Sequence, residues 1–91
     1  QAPPWPLASI VPEPTSGAEA IDMLDAFIMR INVNAPIDPP AQTRKRLRAL
    51  ADAALWCESR FSEFKSDPQL PSTVTTARVV LGPMNLYEKN K

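Results

Sequence analysis

Four cations crowd five positions of this chain, Arg44, Lys45, Arg46 and Arg48, in the run Thr43-Arg44-Lys45-Arg46-Leu47-Arg48. Such a cluster can grip phosphates or carboxylates, since both guanidinium and ammonium groups donate charge-assisted hydrogen bonds. Spread at helical spacing, however, the four do not form one stripe. Lys45 and Arg48 share the far side, Arg44 falls on a flank, Arg46 lies near the apolar edge, and Leu47 among them points to the core. They are a collar around the start of a helix, and cations there oppose the helix dipole rather than support it. Acids Glu19, Asp22 and Asp25 lie in the preceding segment and are the nearest intramolecular partners. Nucleic acid is the alternative partner, and it would use Arg44, Lys45, Arg46 and Arg48.

Trp56 is the second residue to explain. Read against the apolar seam of its segment, it lies roughly opposite, on the side of Lys45, Asp52 and Glu63, and a large aromatic there needs cover. One reading has the proline-rich N-terminus, through Pro4 and Trp5, or else Tyr87, folding over it. The other makes Trp56 a partner-binding centre, with Arg48, Lys45 and Arg60 around it and Trp5 in the arm. Cys57 occupies a seam position and reads as an inert buried thiol. A cysteine nucleophile would want a histidine, and the chain has none. Asp22 and Asp25 read as a solvated helix flank. The lone cysteine excludes an internal disulfide and a cysteine zinc site. Two glycines cannot build a phosphate cradle. No catalytic residue, metal site, cofactor or small-molecule substrate is therefore expected.

These residues must be positioned by a small domain. The chain has 91 residues, 44% of them hydrophobic and 22% charged, with no net charge. That composition is globular, and the length allows a single modest core. Charge is unevenly spread. Residues 1–38 carry five acids and one base, a balance of −4, and residues 39–91 carry nine bases and five acids, a balance of +4. The halves can attract each other. No stretch approaches the ~18 apolar residues of a membrane span, and no signal pattern is visible. With a single cysteine, this favours an intracellular setting, cytoplasmic or nuclear.

All eleven prolines fall in three zones, 3–14, 36–40 and 68–83, leaving two uninterrupted segments between them. Residues 1–14 are proline-rich and are expected to form an extended arm. A helical domain over 15–82 follows, and then a C-terminal tail over 83–91, with Met84, Leu86 and Tyr87 as docking side chains. The first helix begins at Ser16, three residues before Glu19 in capping-box spacing. It carries Ile21, Leu24, Ile28 and Ile31 on one face, widened by Met23 and Phe27, and ends near 32–34 ahead of Pro36. The second opens with Asp38 as N-cap and Pro39 in the first turn. Leu47, Leu50, Ala54, Cys57, Phe61 and Phe64 alternate spacings of three and four, with Ala51 and Leu55 on the flank. This predicts a long helix of roughly 26–28 residues, bounded by Pro68. Residues 72–81 are rich in β-branched types and could suit a strand. The Pro71-Ser72 start, the shared face of Val74, Ala77 and Leu81, and the Gly82-Pro83 stop favour a short helix.

The expected fold is thus an all-α helical bundle: two main antiparallel helices, the second long, a short third helix, and an extended arm. The expected function is a non-catalytic protein–protein interaction or oligomerisation module of a larger assembly. It would bind a protein partner or itself through the exposed face of the second helix. The alternatives are a small helical nucleic-acid-binding domain and a self-assembling coat or capsid-like subunit.

Overall fold

The computed structural model describes residues 4–89, with side chains up to residue 82. Among these residues the fold is all-α: three helices, α1 (Gly17–Asn34), α2 (Pro40–Ser59) and α3 (Leu70–Lys89), each packed against the other two. The third is therefore not short. It equals α2 at 20 residues.

Local chemistry sets each start. The Ser16 hydroxyl accepts from the Glu19 N–H at 3.2 Å, so the expected cap forms. Its reciprocal half is displaced by one residue: Glu19 Oε1 accepts from the Thr15 N–H (2.9 Å) and the Thr15 hydroxyl (3.0 Å). Those two bonds hold the Glu19 carboxyl below its ordinary range, the backbone donor first. At the other end, Ala35 keeps helical dihedral angles (φ −54°, ψ −39°) and donates to Ile31. Pro36 therefore stops α1 by offering no N–H, not by bending the residue before it.

Asp38 does not cap α2. Pro39 stands at the cap position with ψ 150°, Pro40 is the first helical residue, and no side chain caps the helix. Two prolines preset the backbone and leave fewer N–H groups to satisfy, which makes a carboxylate cap dispensable. The Asp38 carboxylate instead receives Arg46 Nε at 3.0 Å.

The expected long second helix is overturned. It ends at Ser59, where Arg60 leaves helical geometry (φ −110°, ψ 8°). The Ser59 hydroxyl donates to the Trp56 carbonyl, and the Arg60 N–H turns to Cys57 instead. A side chain that takes up a backbone acceptor in the last turn competes with continuation of the helix. Phe61 and Phe64 thus lie on a turned connector, with Phe64 folded back into the core.

α3 begins at Leu70 and runs through Gly82 and Pro83, which do not end it. Its β-branched residues are accommodated because three hydroxyls bond back one turn: Thr73 to Gln69, Thr75 to Pro71 and Thr76 to Ser72. That pattern explains how a strand-rich composition settles as helix. Met84, Leu86 and Tyr87 lie outside the described side chains.

The core draws Ala20, Leu24 and Ile31 from α1, Leu50, Ala53, Ala54 and Cys57 from α2, and Leu70, Val74, Ala77 and Leu81 from α3. Gly17 marks a close approach. A Cβ built there would stand 2.5 Å from Asp67 Cβ, whereas one on Gly82 meets nothing within 4 Å among the described residues. Gly17→Ala should therefore lower stability by about 1–3 kcal/mol through overpacking. Gly82→Ala should raise it by about 0.5–1 kcal/mol through helix propensity. Urea unfolding of the two variants checks both signs, and equal shifts would contradict the packing at Gly17.

Candidate functional site

The N-terminal segment is folded onto the helices rather than simply extended. Both Ile10 and Val11 donate their N–H to the Leu7 carbonyl at 2.9 Å, closing a turn, and the Trp5 indole N–H reaches the Val11 carbonyl at 2.8 Å. Trp5 and Leu7 are thereby buried in the core.

This segment covers Trp56. The two tryptophan rings meet edge to face with centroids 4.8 Å apart, and the Phe64 ring lies tilted to Trp56 at 6.3 Å. The Arg60 guanidinium lies 4.6 Å from the Trp56 ring centre and donates to Glu63 at 2.9 Å. Trp56 is only 1% exposed: of the two readings weighed for it, the structure has the cover by the N-terminal segment through Trp5, and the arm occupies the side on which a partner would sit. Ala53 and Trp56 widen the buried face of α2 beyond the expected seam. Two donors in this cluster, Trp56 Nε1 and Arg60 Nε, are buried without a hydrogen-bond partner among the described residues.

The residues expected to share one binding surface are thus divided. Trp5, Trp56 and Arg60 form an internal cluster. Lys45 instead lines a separate groove between α1, α2 and the arm, together with Arg46, Arg30, Phe27, Ile10 and Ala49. Arg48 is exposed and Arg44 half-buried, and both engage other groups of the chain. Leu55, expected on the apolar flank, is exposed.

That groove, about 240 Å³, has an apolar floor and a cationic wall. Arg46 is anchored by Asp38, while Arg30 and Lys45 are exposed. Beyond Ile10 and Phe27 it continues into a second hollow between α1 and the arm. Here the charge reverses: Glu13 and Glu19 flank Val11, Met23 and Ala26. Ile10, Phe27 and Arg30 line both hollows and form the saddle between them. Ile10 is 67% exposed on that saddle. Sequence reasoning missed this place because Phe27 read as part of the core face of the first helix and Ile10 lies in a segment read only as an extended arm. The −4 and +4 balance of the two halves was the signal that could have found it.

Cys57 is buried, and loss of solvation, helped by Glu58, pushes its thiol up to about 11 from an ordinary 9.0. A thiol whose pKa is raised on folding adds stability below pH ~9, and that stability is lost as pH climbs towards ~11. Cys57→Ala should flatten this alkaline fall, as read by unfolding between pH 8 and 11. An unchanged slope would refute the assignment. Among the described residues, no helix is long and apolar enough to cross a membrane, and no cluster of His, Cys, Asp and Glu could hold a metal ion.

Compared with known protein families, with curated proteins and with solved structures, the chain matches none.

Proposed function

We propose that this chain is a non-catalytic protein-interaction module that binds through the saddle formed by Ile10 and Phe27 and the charged hollows on either side. One observation carries the reading: a large aliphatic side chain, Ile10, stands mostly exposed beside Phe27 and Arg30 on the saddle, with charged hollows on both flanks. An apolar centre with a charged rim is the usual anatomy of a protein interface. The burial of Trp56 supports this choice of surface over the face of α2, and the buried, protonated Cys57 thiol supports a binding role over a nucleophilic one.

The nucleic-acid alternative finds less support. Arg46 of the cluster is committed to Asp38, and the groove beside Lys45 leads into an acidic hollow. Phosphate binding would show a log–log salt slope of about −0.9 per duplex contact, and no mobility shift of a labelled duplex at low salt is expected.

Proximity labelling in the native source tests the interaction reading. Ile10→Asp should remove the specific neighbours, whereas Val79→Asp, on an exposed position of α3, should retain them. Retention by Ile10→Asp together with loss by Val79→Asp would overturn it.

A further inference from the structure

We infer that the occupant of the saddle is a second copy of this chain, joined about a two-fold axis close to Ile10 and Phe27; the inference rests on the interaction reading above. A two-fold interface brings one patch against itself, so the patch must be its own complement. The charges around this saddle meet that condition. On one side of the saddle lies the exposed Lys45, next to an Arg46 already paired with Asp38, and on the other the exposed Glu13, next to a Glu19 that accepts from Thr15, with Ile10 and Phe27 between them. Rotation by half a turn about the saddle lays the acidic hollow of each copy over the basic hollow of the other. Each Ile10 is then covered, and Arg30, which lines both hollows, can turn towards the other copy's Glu13. A partner of uniform charge would match one hollow and be repelled by the other.

The pairing can be tested by charge exchange. Glu13 and Lys45 are both exposed, so reversing either leaves the core untouched. Sedimentation equilibrium of the full chain, over roughly three decades of concentration, should show a mass rising towards the dimer. Glu13→Lys alone and Lys45→Glu alone should each weaken association by roughly tenfold or more, because like charges then face each other twice. An equimolar mixture of the two variants should regain it, since both contacts in that heterodimer are again of opposite sign. Helical circular dichroism equal to wild type confirms that each variant is folded.

A monomer at every concentration would overturn the inference. So would single variants that associate like wild type, or a mixture that fails to recover. If differently tagged copies never pair while Ile10-dependent neighbours are still labelled, the self-pairing falls and the interaction reading stands. Loss of both would remove the saddle as a binding surface altogether.

Discussion

Trp56→Ala is expected to destabilise the bundle by about 3–5 kcal/mol, the usual cost of emptying a fully buried tryptophan site. For a domain of this size, that corresponds to a fall in melting temperature of roughly 15–30 °C. It would consume much of a total stability of about 5–15 kcal/mol. The loss is large because three side chains converge on one ring: Trp5 from the arm, and Phe64 and Arg60 from the connector, with the Arg60 guanidinium over the ring. Trp56→Phe separates the contributions. It keeps an aromatic ring and removes the N–H that has no hydrogen-bond partner among the described residues. It should therefore cost clearly less than Trp56→Ala, since relieving an unsatisfied buried donor offsets part of the lost volume. Guanidinium unfolding measures both variants. A Trp56→Ala protein that melts within a few degrees of wild type would contradict the central position assigned to this ring.

Trp5→Ala should carry the second-largest effect, about 3 kcal/mol, with a distinct optical signature. The substitution removes the edge-to-face contact and the indole bond to Val11 that closes the arm's turn. Leu7 would remain to hold the segment, but it lacks that fastening. The chain has two tryptophans, so Trp56 alone reports in this variant. Its emission should shift to the red and become sensitive to acrylamide, while the helical circular dichroism at low temperature stays close to wild type. Emission that stays blue and unquenched would mean that the arm covers Trp56 without its own tryptophan.

The helices themselves were legible in the residues because their signals are local. Ser16 with Glu19 marked one start, Pro36 one stop, and the spacing of Val74, Ala77 and Leu81 a helical face in a stretch whose composition argued for strand. The errors came where a longer-range contact decided. Phe61 and Phe64 continue the period of α2, yet the chain has already turned at Ser59 and Arg60. A seam and a folded-back connector can bury the same side chains, so periodicity cannot separate them. Asp38 looked like a cap, but Arg46, two turns on, claims its carboxylate. Trp56 was legible as a ring in need of cover, but helical periodicity describes one helix at a time and could not choose between a partner and the chain itself; the cover arrives from Trp5, 51 positions earlier. The saddle at Ile10 and Phe27 is tertiary in the same way. Only the charge imbalance between the chain's halves hinted at it.

The strap over Trp56 also imposes an order on synthesis. Trp5 and Leu7 emerge from the ribosome ahead of every helix they pack against. They cannot be buried until α2 and the connector through Phe64 have followed. At about 5–20 residues per second, those apolar side chains wait for several seconds, longer than most small domains take to fold. The prolines around them suit that delay, because a segment with few N–H groups to share makes a poor template for strand pairing while it waits.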